Sequence, residues 1–135
     1  MTSAPFDDRD GWIWCDGQMM PWREAKLHVL SHALHYASSV FEGERVYNGT
    51  IFKLTEHTER LARSSEFLGF GLPYSVAEID AACRETCKLN GIVDGYVRPV
   101  AWRGSEMMAV SAQNTTIHIA IAAWPWPSYF GPEAR

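Results

Sequence analysis

Three histidines, His28, His32 and His35, stand at i, i+4 and i+7. On a helix that spacing would bring three imidazoles to one face, an arrangement from which a zinc site can be built. No cysteine or carboxylate lies at a fitting distance in sequence, and the segment is short for a helix. Half-buried, hydrogen-bonding histidines are therefore the expectation, and no metal is. Cys83 and Cys87 fall on one helical face at i, i+4, but two thiols alone seldom hold a metal and a buried free cysteine packs as a small hydrophobe. The chain has no Gly-rich phosphate loop and no Ser within G-x-S-x-G, which removes the best support for nucleotide hydrolysis and serine-hydrolase chemistry. Arginines in apolar context carry more: Arg45 after Phe41-Glu42-Gly43-Glu44, Arg60 within a helical segment, and Arg98 in Tyr96-Val97-Arg98-Pro99. A guanidinium that points inward needs an anion, because it stays charged and an unpaired buried charge is costly. Period-2 alternation puts Tyr96 and Arg98 on one strand face with Val100 and Trp102, where a phenol and a guanidinium beside aromatics would suit a carboxylate on an apolar body. For any single arginine, pairing with some of the 16 acidic residues at the surface is the competing expectation.

The elements that must position these groups are marked by turn and cap signals. Asp16-Gly17 between Trp12–Cys15 and Met19–Trp22 predicts one β-hairpin, and Asn48-Gly49 between Val40–Tyr47 and Thr50–Leu54 predicts a second. Thr55 is the expected cap of a helix running to about Leu68, with Gly69 and Gly71 as its stop. Ser75-Val76-Ala77-Glu78 is a capping box that starts a helix ending near Asn90-Gly91. Tyr96–Trp102 and Thr116–Trp124, on either side of a polar loop, read as paired strands. Pro99 cannot donate to a ladder and predicts an edge or a bulge opening onto a cavity. Hairpins, then helices, then strands predict an α+β fold: a mainly antiparallel sheet with two helices packed on one face.

Composition sets the outer bounds. The 135 residues carry 12 Lys+Arg against 16 Asp+Glu, a formal charge of −4, which gives no basic face for nucleic acid. With 47% hydrophobic and 21% charged residues, the chain reads as one folded domain. Its most membrane-like stretch, Ile119–Trp126, is far short of the ~20 residues a spanning helix needs, so no membrane association is expected. Residues 1–10 read as a solvated arm rather than a secretory signal, and the odd cysteine count, with Cys15 as the third, fits a reducing compartment such as the cytoplasm. The aromatic, proline-stiffened stretch from Trp124 to Gly131 should pack against a further domain or another copy.

Several ordered motifs carry a family resemblance: Lys26-Leu27-His28-Val29-Leu30-Ser31-His32-Ala33-Leu34-His35-Tyr36, Ser39-Val40-Phe41-Glu42-Gly43 with Arg45, Glu59-Arg60-Leu61, Tyr96-Val97-Arg98-Pro99, and Ala122-Ala123-Trp124-Pro125-Trp126. Together they closely resemble branched-chain amino acid aminotransferases, class IV (fold type IV) pyridoxal-phosphate enzymes. The resemblance runs from about Gly11 to Gly131 and covers the family's N-terminal small domain only. It implies residues 11–131 as the small domain and 132–135 as the start of an interdomain connection, with the Schiff-base lysine in a large domain beyond Arg135. Lys26, Lys53 and Lys88 do not suit that lysine's task, so the 135-residue piece is expected to be inactive alone.

The resemblance further implies that Arg60 contacts the cofactor phosphate. Phe41, Gly43, Tyr96, Arg98, Trp126 and Tyr129 would line the substrate site, with Arg45 in the polar network around the substrate carboxylate. Tyr36 and the loop carrying Met108 and Val110 would reach the neighbouring subunit's site in a homodimer, and the histidine segment would bind no metal. The implied chemistry is amino transfer between a branched-chain amino acid and 2-oxoglutarate with pyridoxal 5'-phosphate as cofactor. Glu44, where many members carry an apolar residue, and Ala109, where many carry glycine, are departures expected near the pocket. The alternatives are another class IV enzyme, a D-amino acid transaminase or an aminodeoxychorismate lyase, or a non-catalytic anion- or metal-binding or interaction module.

Overall fold

The computed structural model describes residues 4–126. Two antiparallel hairpins open it. In the first, β1 (Trp12–Cys15) and β2 (Gln18–Pro21) meet across Asp16 and Gly17, whose φ angles of 50° and 95° are those of the tight turn that matches strand twist. Asn48 and Gly49, at 49° and 80°, make the second between β4 (Glu44–Tyr47) and β5 (Thr50–Ile51). A short helix α1 (His32–Tyr36) and strand β3 (Ser39–Phe41) lie between the hairpins. Helices α2 (Leu54–Phe67) and α3 (Val76–Leu89) follow, then the long strands β6 (Gly95–Arg103) and β7 (Ile117–Pro125). The sheet order is β2-β1-β7-β6-β4-β5, with β3 also on β6, and every pairing is antiparallel. This is the expected α+β architecture.

Alternation divides the sheet into two faces. Val97, Ala101, Ile119, Ile121 and Ala123 are buried and meet Ile79, Cys83 and Cys87 of α3 in one core. Burial pushes the Cys87 thiol up to about 11, and Cys83 is raised too, so both behave as the small hydrophobes their spacing implied. The opposite face, carrying Tyr96, Arg98, Val100 and Trp102, has no helix as long as α2 or α3 over it and stays partly open. Among the described residues no helix is long and apolar enough to cross a membrane.

Three local expectations need correction. Helix α2 is not capped by Thr55: it starts at Leu54 behind Lys53, which is left-handed at φ 53°. The Thr55 hydroxyl instead donates to Asp80 on α3 (2.7 Å), as does that of Thr58 (2.5 Å), because a carboxylate buried between two helices is the stronger acceptor. Gly69 alone takes a left-handed turn after α2, at φ 84°, and Gly71 does not. Pro99 lies on a central strand rather than an edge. β3 and β4 continue one register along β6, Phe41 opposite Val100 and Glu44 opposite Val97, and the ladder lapses between them at Glu42 and Gly43. Glu42 N–H donates to the Pro99 carbonyl (3.0 Å), but proline has no N–H to return.

Arg103, at the far end of β6, is only 6% exposed and pairs with no carboxylate among the described residues. Its guanidinium donates to the Ala112 carbonyl (2.7 Å), Thr115 Oγ1 (3.1 Å) and the Gly69 carbonyl (3.1 Å), so a cation at the C-terminal end of α2 also ties down the loop that follows β6. Arg103→Ala is expected to lower unfolding stability by about 2–4 kcal/mol, by leaving buried carbonyls unpaired. Urea denaturation measures this, and a loss below about 0.5 kcal/mol would show the carbonyls to be satisfied without it.

Candidate functional site

The lapse in the ladder builds the site. Because the register is continuous, alternation persists through it: Phe41, Gly43 and Arg45 face the open side with Tyr96 and Arg98, and Glu42 and Glu44 face the helices. Gly43 sits where a Cβ would collide with Tyr96 Oη, so only glycine lets the phenol lie there. Arg98 donates to that phenol from Nε (3.2 Å) and Nη2 (2.9 Å), and its guanidinium carbon stands 4.3 Å from the centre of the Phe41 ring. Trp124 and Trp126 pack on Tyr96 at 4.9 and 4.8 Å between ring centroids. Arg45 donates to the Trp126 carbonyl (3.3 Å) and lies near that ring. The structure thus brings Phe41, Gly43, Arg45, Tyr96, Arg98 and Trp126 together, and Tyr129 lies outside the described residues.

No carboxylate among the described residues pairs with Arg98. An exposed cation, fixed by a phenol over an aromatic face, can receive a carboxylate through its remaining donors. The same face opens on an apolar cavity of about 390 Å³, lined by Arg98, Ala120, Ala122, Leu27, Leu34 and Val100.

Arg60 is reached through Glu42. Its Nε donates to Glu42 Oε2 and its Nη2 to Oε1, both at 2.8 Å, and His57 Nδ1 lies 2.6 Å from Oε1. Burial pushes the Glu42 carboxyl up, but the hydrogen bonds from Arg60 and His57 outweigh it and hold the group below the ordinary carboxylate range. Two residues on, Glu44 is fully buried with both oxygens unpartnered among the described residues. Burial, with the charges of Glu42 and Asp80, pushes its carboxyl up to about 8. Glu44 therefore projects into the core and not toward the pocket where it was expected, because it faces opposite to Arg45.

Tyr36, Met108 and Val110 form a second cluster. Tyr36 Oη donates to the Met108 carbonyl (2.8 Å), His32 Nε2 lies 2.9 Å from the Ala109 carbonyl, and Val110 is 80% exposed. His32 N–H donates to the Gly104 carbonyl, which fixes this cluster at the far end of β6. The histidines do not converge: α1 begins at His32, His28 Nδ1 accepts from Leu30 N–H, and His35 Nε2 is 2.8 Å from the Val29 carbonyl. Among the described residues no group of three or more His, Cys, Asp or Glu could hold a metal. Sequence reasoning missed Glu42, whose only signal was its place between Phe41 and Gly43.

A model of the amino-transferase class IV family matches residues 39–134. The chain belongs to the class IV aminotransferases. It is 46% identical over 131 residues to a branched-chain-amino-acid aminotransferase of Pseudomonas aeruginosa, covering 94% of this chain and 43% of that protein. It is 48% identical over 125 residues to a probable branched-chain-amino-acid aminotransferase of Rickettsia felis, covering 93% and 43%. Among solved structures, a T.th. branched-chain amino acid aminotransferase with pyridoxamine 5'-phosphate superposes with a TM-score of 0.86 at 39% identity, and the Escherichia coli enzyme with 0.84 at 38%, each over 93% of this chain and 43% of the other. This class IV chain spans less than half the length of these relatives.

Held near 8 in the fold against about 4.3 in the unfolded chain, Glu44 binds its proton more tightly when folded. Its contribution is intact below pH ~4 and is withdrawn as pH rises toward and past 8. Glu44→Leu is expected to flatten that decline and to raise stability at pH 9 by a few kcal/mol. Denaturation at a series of pH values measures it, and parallel curves for the two proteins would show Glu44 to be paired.

Proposed function

We propose that this chain is the small domain of a pyridoxal-phosphate-dependent branched-chain aminotransferase, which moves an amino group between a branched-chain amino acid and 2-oxoglutarate. The observation that carries the reading is Arg98, a cation with no carboxylate partner among the described residues, held by Tyr96 over Phe41 on the open face of the sheet. As the family resemblance implies, residues 11–131 are assigned to this domain, and the lysine that carries the cofactor is assigned to the family's large domain. Lys26, Lys53 and Lys88 are all exposed, and Lys53 pairs with Glu56 (3.7 Å), which suits none of them to that task.

The donor set fits the cofactor's phosphate. Arg60 spends one edge of its planar fork on Glu42 and leaves Nη1 on the other, and its side chain is 61% exposed, so an anion can reach it. When bound, the cofactor supplies the electron sink for amino transfer. The residues of this chain bind and orient: Arg98 and Tyr96 take the substrate carboxylate, Arg45 extends the polar network, and Phe41 and Trp126, with Tyr129, enclose the hydrocarbon. Gly43 keeps the phenol seated.

As the family resemblance implies, Tyr36, Met108 and Val110 serve a second copy's site, and the working unit is a homodimer. Three free cysteines fit a reducing, cytoplasmic setting.

In the full-length protein, Arg98→Ala is expected to lower kcat/KM for leucine, isoleucine and valine about ten- to a hundredfold, by removing a charge-assisted partner of the carboxylate. Steady-state kinetics with a melting control measure it. Unchanged kcat/KM with a lowered melting temperature would make Arg98 structural. Turnover of D-alanine or aminodeoxychorismate in place of the branched-chain substrates would favour another class IV activity.

A further inference from the structure

Arg60 stands on the exposed side of α2, where an arginine ordinarily samples many rotamers. Here it does not swing free. Glu42 engages Nε and Nη2 together, at 2.8 Å each, in the two-point geometry that fixes the plane of a guanidinium as well as its position. Glu42 is itself immobilised: its side chain is 4% exposed, its backbone N–H is tied to the Pro99 carbonyl, and its Oε1 is shared with His57 Nδ1 at 2.6 Å. Two of the three nitrogens of Arg60 are thereby committed to one edge, and Nη1 projects from the other.

We propose that Glu42 is a positioning residue for phosphate recognition: by clamping the Nε–Nη2 edge of Arg60 it aims Nη1 at a phosphate monoester. The proposal rests on the reading that Arg60 is the phosphate contact. Glu42 also lies between Phe41 and Gly43 in the chain, so the segment that walls the substrate site is the one that sets the arginine. Burial of Glu42 on the helix face makes the clamp rigid, and the ionised state that Arg60 and His57 maintain keeps both acceptor oxygens available.

The test compares two ligands on the full-length apoprotein: pyridoxal phosphate and pyridoxal, which differ only in the phosphate. The ratio of their dissociation constants, measured by fluorescence titration, is the phosphate preference. Arg60→Ala is the control for the underlying reading and should collapse that ratio; if it does not, Arg60 is not the phosphate contact and the reading of the site fails. Given that collapse, Glu42→Gln should lower the preference about tenfold or more while leaving pyridoxal affinity unchanged. It should add nothing in the Arg60→Ala background. A preference within twofold of wild type in Glu42→Gln would overturn the proposal. Should Glu42→Gln fail to fold, Arg60→Lys decides: its single ammonium cannot serve Glu42 and a phosphate with fixed geometry, so the preference should fall about tenfold. A wild-type preference in Arg60→Lys would show that charge alone suffices and would overturn the proposal as well.

Discussion

A missing N–H at the centre of the sheet organises this domain. Pro99 lies on β6 between two partners, and on the β3–β4 side it accepts one hydrogen bond from Glu42 without returning one. A central strand tolerates proline only where the ladder can lapse, and here it lapses for two residues without losing register. Those two residues are Glu42 and Gly43. The first turns its carboxylate inward to Arg60, and the second leaves the open face bare enough to seat the Tyr96 phenol. The guanidinium groups of Arg60 and Arg98 are thus both set by adjacent residues of one interrupted strand.

The two faces of the sheet handle charge in opposite ways. On the open face, Arg98 and Arg45 lie against aromatic rings and keep access to solvent. On the helix face, three acidic residues are buried within a short span and differ by their partners. Glu42 has a guanidinium and an imidazole, Asp80 has two hydroxyls, and Glu44 has none among the described residues, and the carboxyl without partners is the one pushed up to about 8. Glu44 does not face the pocket, so its carboxyl bears on stability rather than on substrate choice. Nothing in the structure explains Ala109 beyond its carbonyl contact with His32.

Much of the fold was legible because its signals are local. Asp16-Gly17 and Asn48-Gly49 specify turns by their own backbone preferences, and Ser75 with Glu78 forms the reciprocal cap that the spacing implied, at 3.0 and 3.1 Å. Alternation alone put Tyr96 and Arg98 on one face. What escaped depends on partners far along the chain. Thr55 was lost as a cap to Asp80, 25 residues away, and Glu42 gained its role from Arg60, 18 residues away. Arg103 was made a buried strut by carbonyls 9 and 34 residues distant. The motif resemblance named residues that the structure gathers on the open face, yet it carried no account of Glu42, whose two-point bond to Arg60 appears only in the folded chain.

The most direct measurement is a crystal structure of the full-length protein with pyridoxamine phosphate and a branched-chain 2-oxo acid bound. Arg60 is expected to keep both bonds to Glu42 while its Nη1 lies within hydrogen-bond distance of the phosphate, and Arg98 with Tyr96 is expected to meet the carboxylate of the acid. A phosphate held without Arg60, or an Arg60 that has left Glu42 to reach it, would contradict the account.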